Sequence, residues 1–195
     1  MKILIATGNR GKFNEIKSIL ASPELDLVSF YELDNTLRIE ETGESFRENA
    51  LIKARKAFEM FGIPAVGDDS GLMVEQLDGA PGIYSARYAG INATDEDNNK
   101  KLITELSKFP KPHKAKYFCS AVYYDGKNYK FAEGELIGEL TDKPRGSNGF
   151  GYDPYFIPEG YNKTVAELDP DEKNRISHRY KAFSKLKELI IQQEK

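Results

Sequence analysis

Two adjacent carboxylates, Asp68 and Asp69, stand with Ser70 between Gly67 and Gly71, directly after the apolar stretch Ile63–Val66. In an extended segment successive side chains point to opposite faces, so the two aspartates do not act as a pair on one site. One faces a site and the other supports it. The segment Ile39-Glu-Glu-Thr-Gly-Glu44 supplies Glu40, Glu41 and Glu44. An Asp and a Glu from different segments are the ligands Mg²⁺ takes when substrate phosphate and water complete its shell, and Mn²⁺ is a possible substitute. The competing reading of Asp68 and Asp69 is turn formation and capping.

Cations recur where a helix start favours anions. In Ala6-Thr-Gly-Asn-Arg-Gly-Lys12, Gly8 and Gly11 flank Asn9 and Arg10, and Arg10 and Lys12 open a helix. Their charges oppose the positive end of the helix dipole at a cost of some tenths of a kcal/mol, roughly, unless an anion binds there. The phosphate-loop pattern fails, with Ala6 in place of its first glycine and Phe13 in place of its Ser or Thr. A solvated turn fits this segment equally well when it stands alone. The anomaly repeats in Lys173-Asn-Arg-Ile-Ser-His-Arg179, where Ser177 is a natural N-cap and His178 and Arg179 occupy the first turn. Here the alternative is a surface pair with an acid such as Asp171.

The run Pro144–Phe156 interleaves Gly146, Gly149 and Gly151 with Phe150, Tyr152, Tyr155 and Phe156, and places Asp153 before Pro154. Glycines let backbone approach a ligand, and an aromatic ring in such a loop is a stacking platform for a base. Plugging the core and shaping a turn are the duller roles.

These residues need elements to position them. Lys2–Ala6 reads as a buried strand, and Phe13, Ile16, Ile19 and Leu20 as a helix ended by Pro23. Leu25–Phe30 is a second strand and Tyr31–Glu44 an irregular polar stretch. Ser45 with Glu48 forms a capping-box pattern, and Leu51, Ala54, Phe58 and Phe61 form the apolar stripe of a helix ending at Gly62. Lys53 lies off that stripe, on the flank of Asn49. Ile63–Leu77 reads as strand, acidic turn, strand. A helix opens at Thr94 with Leu102, Ile103 and Leu106 on one side, and Phe109–Lys116 is a proline-punctuated loop. Tyr117–Leu140 makes a long hairpin about Asp125 and Gly126, and a helix carrying Ala182, Phe183, Leu186, Leu189 and Ile190 closes the chain. Strands and helices mix without strict alternation, which predicts an α/β mixed sheet.

Composition sets outer bounds. The 195 residues suit a single domain spanning 1–195, with 39% hydrophobic and 30% charged residues. With 31 acidic against 28 basic residues the net charge is -3, so no global field draws the chain to nucleic acid and a polyanion must be held locally. Cys119 is the only cysteine, which excludes an intramolecular disulfide and a zinc cluster of cysteines and fits a reducing compartment. No stretch approaches the ~20 apolar residues of a membrane span, and the expectation is a cytoplasmic protein.

Thr7-Gly-Asn-Arg-Gly-Lys12 fits a TxNxxK signature, and with it the chain resembles the inosine triphosphate pyrophosphatase family. The resemblance continues through Glu40–Ala54, Asp68–Leu72, Gly79–Gly90, Gly149–Pro154 and Glu172–Arg179. It spans nearly the whole chain in order. The related Maf-like pyrophosphatases begin with a serine-rich SxSxxR turn that Thr7, Asn9 and Lys12 do not match. The resemblance implies an elongated mixed sheet flanked by helices, with two lobes and a central cleft, as a homodimer. It implies hydrolysis of the non-standard purine nucleoside triphosphates ITP, dITP and XTP to the monophosphate and pyrophosphate.

On the same ground Thr7, Gly8, Asn9, Arg10, Gly11, Lys12 and Lys53 hold the triphosphate, Asp69 is the catalytic carboxylate, and Ser70 contacts substrate. Phe150, Gly151, Tyr152 and Asp153, with Lys173, His178 and Arg179, form the nucleoside pocket. The metal falls to Asp69 with Glu40 or Glu41, and the expectation settles on Glu40. Hypoxanthine and xanthine present an acceptor oxygen at position six, where adenine presents a donor that would face the donors of Arg179 or nearby backbone. A sensor without hydrolysis, an RNA-binding protein and a triphosphatase cleaving at the γ position are the rival readings.

Overall fold

A computed structural model of the chain describes residues 1–33 and 39–192, without the side chains of residues 31 and 32. The elements run β1 (Lys2–Ile5), α1 (Arg10–Leu20), β2 (Asp26–Ser29), α2 (Phe30–Leu33), α3 (Phe46–Phe61), β3 (Ala65–Val74), α4 (Asp95–Leu106), β4 (His113–Tyr124), β5 (Tyr129–Leu140), β6 (Phe156–Pro158), α5 (Pro170–Ile176) and α6 (His178–Ile191). The six strands form one sheet in the order β2-β1-β3-β4-β5-β6. β1 pairs in parallel with β2 and β3, and β6 runs antiparallel to β5, so the fold is mixed α/β.

The chain packs as two compact units. Unit 1 comprises Met1–Asp69, Cys119–Gly134 and His178–Lys195, and unit 2 comprises Ser70–Phe118 and Glu135–Ser177. The division falls between Asp69 and Ser70 on β3, and β4 and β5 also contribute residues to both.

Period-two alternation builds unit 1. Ile3, Ile5, Val66, Ala121 and Tyr123 face a core completed by Ile16 and Leu20 of α1 and Phe183, Leu186 and Ile190 of α6. Leu4 and Ala65 face the other way, with Ala57 of α3, and Val122 meets Ala50 and Ala54 of the same helix. The buried stripe of α3 is therefore Ala50, Lys53, Ala54 and Ala57 with Asn49, while Leu51, Phe58 and Phe61 are only half-buried. Small side chains let the helix come close: a Cβ on Gly67 would stand 2.5 Å from the Ala50 carbonyl oxygen. That requirement, rather than a turn, places glycine there. The acidic turn expected within Ile63–Leu77 is absent, because Ala65–Val74 is one continuous strand.

In unit 2, Leu72, Val74, Leu102, Leu106, Leu136, Tyr152 and Phe156 close a second core. Complete burial of a side chain such as Phe156 contributes about 1.5–3 kcal/mol.

The caps behave largely as their sequence requires. Ser45 accepts from the Glu48 amide, although Glu48 reaches back to the amide of Glu44 rather than Ser45. Thr94 and Asp97 form the reciprocal capping box of α4. Ser177 ends α5, an element the pattern did not reveal, and its hydroxyl donates to the Asn174 carbonyl just before α6 begins. The proline-punctuated loop is shorter than expected, since β4 begins at His113. The stretch Tyr31–Glu44, expected to be irregular, opens with the last three residues of α2, its residues 34–38 lie outside the described residues, and Leu189 is 38% exposed. No helix among the described residues is long and apolar enough to cross a membrane.

Candidate active site

The alternation of β3 carries on through its polar residues. Val66 faces α1 and α6, Gly67 faces α3, and the next two side chains repeat the pattern. Asp68 turns toward α1 and α6, where Lys12 Nζ stands 3.1 Å from its Oδ2 and Arg179 Nε 3.7 Å from the same oxygen. Asp69 turns toward α3, where Asn49 Nδ2 donates to its Oδ2 at 3.0 Å and Lys53 Nζ lies 3.6 Å from its Oδ1. Adjacent carboxylates thus serve different helices.

Lys53 gathers the second half of the site. Its ammonium donates to the Asp68 carbonyl at 2.7 Å and pairs with Glu41 Oε1 at 2.7 Å, besides facing Asp69. Burial opposes its charge, but Asp69, Asp68 and Glu41 together outweigh burial and raise its pKa. Burial raises the pKa of Asp69, and the opposing pull of Lys53 and Lys12 does not cancel it. Asp68 is also buried, yet Lys12, Arg179 and Lys53 hold its carboxyl well below the usual carboxylate range. Arg179 is 2% exposed and donates to Glu15, and that pair with Asp68 raises its pKa against the cost of burial. Burial, with Asp68 adding to it, pushes the Cys119 thiol up to about 12, which leaves it an inert core group.

Three cations, Lys12, Lys53 and Arg179, thus meet four carboxylates, Glu15, Glu41, Asp68 and Asp69. Glu41 and Asp69 converge on one ammonium, and their hard oxygens suit Mg²⁺. Among the described residues no group of three or more His, Cys, Asp or Glu could hold a metal by itself. Two carboxylates fit the mode in which Mg²⁺ keeps waters and draws its other ligands from phosphate. The structure sets Glu41 beside Asp69, whereas Glu40, the residue expected from sequence, is exposed. Of the two neighbours, Glu41 is the one that pairs with Lys53.

The turn into α1 is held locally. Thr7 is buried and its hydroxyl accepts from the Asn9 amide, and Asn9 caps the helix by accepting from the Lys12 amide at 3.0 Å. Gly8, Asn9 and Arg10 are exposed and Gly11 is half-buried. Ser70 is half-buried on β3, and His178 is buried at the start of α6. Burial of His178 and Arg179 excludes the surface pairing with Asp171.

Unit 2 carries the aromatic loop. Gly149, Gly151 and Gly146 all have positive φ. At Gly149 a Cβ would come 2.1 Å from Asp153 Oδ2, so only glycine lets that carboxylate tuck under the loop. Asp153 accepts from the Phe150 amide at 3.0 Å, Tyr117 at 3.0 Å and Lys173 at 2.8 Å. α4 grips Gly151 at both polar atoms: its amide donates to Asp95 at 2.7 Å and its carbonyl accepts from Asn99 at 2.9 Å. Tyr152 is buried, donates to the Ser85 carbonyl at 2.8 Å, and has its phenol pKa raised by burial. The Lys173 ammonium stands 4.8 Å from the centre of the Phe150 ring. Phe150 and Gly151 also line a groove of about 650 Å³ within this unit, with Asn99 and Tyr155.

Sequence reasoning therefore named Tyr152 and Asp153 but not the bracing they perform, and it missed Glu15, Asn49, Asp95 and Asn99. Spacing held a signal for all four. Glu15 is three residues from Lys12, Asn49 four from Lys53, and Asp95 four from Asn99, the separations that share a helix face.

The chain matches the Ham1 family over residues 3–189. It belongs to the Ham1 family. A dITP/XTP pyrophosphatase of Aquifex aeolicus is 47% identical over 204 residues, covering 100% of this chain and 99% of that protein. Another, from Bacillus subtilis, is 44% identical and covers 96% of each chain. Among solved structures, a HAM1 protein of Coxiella burnetii superposes with a TM-score of 0.90 at 39% identity, over 98% of this chain and 99% of that one. The Staphylococcus aureus Ham1 protein gives 0.88 at 39% identity over 100% of both. The mixed α/β architecture is thus that of Ham1 structures, and the resemblance seen in the motifs extends to the fold.

Proposed function

We propose that this Ham1 protein hydrolyses the non-standard purine nucleoside triphosphates ITP, dITP and XTP to the monophosphate and pyrophosphate, keeping them out of DNA and RNA. The chain is a nucleoside triphosphate pyrophosphatase, the class named for relatives that match it end to end. The observation that carries the chemistry is the convergence of Asp69, Glu41 and Lys53, with Lys12 on the neighbouring Asp68.

Asp69 takes a proton from a water that attacks the α-phosphorus, the new P–O bond forms, and the bond to the β-phosphate oxygen breaks to release pyrophosphate. Burial that raises its pKa makes the ionised Asp69 a stronger base than an exposed carboxylate. Asp69 and Glu41 would hold Mg²⁺, which would supply charge stabilisation at the phosphate oxygens. Lys12 and Lys53 add to it, with Thr7, Gly8, Asn9, Arg10 and Gly11 forming the turn that receives the phosphates. Ser70, next on the strand, contacts substrate.

For the nucleoside, Phe150 offers a ring face, Gly151 backbone polar atoms, and Tyr152, Asp153 and Lys173 the bracing that fixes them. Arg179 or nearby backbone supplies the donors to the oxygen at position six of the base, with His178 in the same pocket. A homodimer in the cytoplasm and replacement of Mg²⁺ by Mn²⁺ complete the proposal, and light scattering on the purified protein checks the first of these.

The test incubates purified protein and Mg²⁺ separately with ITP, XTP, ATP and GTP and resolves the products. Monophosphate and pyrophosphate from ITP and XTP, with little from ATP, is the expected outcome. Diphosphate with inorganic phosphate would move cleavage to the γ position, and tight ITP binding without turnover would make the protein a sensor.

A further inference from the structure

Asn49 is wholly buried at the first turn of α3, and both ends of its amide are in use. Nδ2 donates to Asp69 Oδ2 at 3.0 Å. Oδ1 accepts from the Gly43 amide at 2.8 Å. Gly43 lies two residues after Glu41, so one side chain ties the segment that bears Glu41 to the carboxylate of Asp69. Gly43 suits this closure for a steric reason: a Cβ there would stand 2.7 Å from Glu48 Cβ and 2.8 Å from Asn49 Oδ1.

The carboxylate of Asp69 is addressed on two sides. Lys53 faces Oδ1 and Asn49 fixes Oδ2. Without the amide, the carboxylate can rotate about its Cβ–Cγ bond toward fuller pairing with Lys53, out of the orientation that a water-activating base must keep. Reaction geometry tolerates little such freedom. Asparagine suits the position because its amide carries an acceptor and a neutral donor at once, and a carboxylate would set like charge against Asp69.

We propose that Asn49 is a positioning residue that fixes Asp69 for water activation and, through Gly43, holds the segment carrying Glu41 beside it. This rests on the assignment of Asp69 as the base in the proposed hydrolysis. Outer-shell partners of this type set the orientation of the groups they touch, and their loss lowers activity about 10–100-fold.

The test compares wild type with Asn49→Asp, which keeps the acceptor for Gly43 and loses the donor, and with Gly43→Ala, which crowds the acceptor side. ITP hydrolysis is followed by pyrophosphate release with Mg²⁺, well below the melting temperature of each protein, so that the folded fraction is equal. The expected result is kcat lowered ~10–100-fold in Asn49→Asp with KM within about threefold, and a smaller fall in kcat for Gly43→Ala. Unchanged kcat in Asn49→Asp overturns the proposal, as does a raised KM with kcat intact. Loss of the folded state in both variants overturns it too, making Asn49 a determinant of the fold. Wild type that releases no pyrophosphate overturns the hydrolytic reading itself, an outcome separable from failure of the variants alone.

Discussion

Charged side chains hold one another around Asp68 and Asp69 in unit 1, whereas in unit 2 polar side chains hold the backbone of the Gly149–Asp153 loop. The first arrangement places ionised groups at fixed positions on a strand, with helices supplying counter-charge from both faces. The second places a ring and two backbone polar atoms at the end of a turn, with Asp95, Asn99 and Asp153 as clamps. Chemistry that needs stabilised charge suits the strand. Recognition that needs shape and directed hydrogen bonds suits the loop. The expectation is that changes in unit 1 act on kcat and stability, and changes in unit 2 act on KM.

Asp69→Asn tests this most severely. Replacing a general base lowers kcat about 10²–10⁴-fold, and substrate binding measured by calorimetry should survive. Near-normal turnover would remove Asp69 from the base's role and leave the two regions without a chemical distinction.

Asp68→Asn, on the opposite face, should act on the fold. Removing one partner of a buried ion pair takes a counter-charge from Lys12 and Arg179, at a cost of about 3–5 kcal/mol, read from denaturant unfolding. Its pH dependence has a definite sign. Folding lowers the pKa of Asp68, so its contribution is complete above the unfolded value of about 3.9 and is lost as pH falls through the lower folded value. The stability gap between wild type and Asp68→Asn should stay constant at neutral pH and narrow only in strong acid. A gap that closes near neutrality would show that the pairing with Lys12 and Arg179 contributes little.

Asp95→Ala sharpens the other side of the comparison. It removes the acceptor of the Gly151 amide and loosens the loop of unit 2. Loss of one such hydrogen bond should raise KM for ITP about 2–10-fold with kcat nearly unchanged. A fall in kcat alone would give the loop a share in the chemical step. The smallest effect is expected for Arg47→Ala, which breaks an exposed pair with Glu133 and a stacking contact on Phe131. Stability should change by less than about 1 kcal/mol and turnover not at all, the baseline against which the buried pairs are judged.

Much of this architecture was legible in local pattern. Helices α1, α3, α4 and α6 followed from apolar spacing and caps, and the β4–β5 hairpin from its Asp125-Gly126 turn. The opposed directions of Asp68 and Asp69 followed from the two-residue period of a strand. The reading of Gly67–Gly71 as a turn failed because glycine marks both a bend and a close approach, and only the position of α3 separates the two. The stripe of α3 misled for a related reason. Large apolar residues suggested the buried face, but the face against the strand had to be built of alanines with Asn49 and Lys53.

The sequence by itself determined residue types, periodicities and ordered motifs: two cationic helix starts, a pair of aspartates on alternate faces, a glycine-rich aromatic loop, and membership of a family. Those properties reside in neighbours along the chain. Tertiary structure alone decided which groups meet, because Lys12, Asn49, Lys53 and Arg179 reach Asp68 and Asp69, and Glu15 and Glu41 reach Arg179 and Lys53, from elements remote in sequence. It set Glu41 rather than Glu40 against Lys53 of α3, a choice that two adjacent side chains of equal chemistry do not make by themselves.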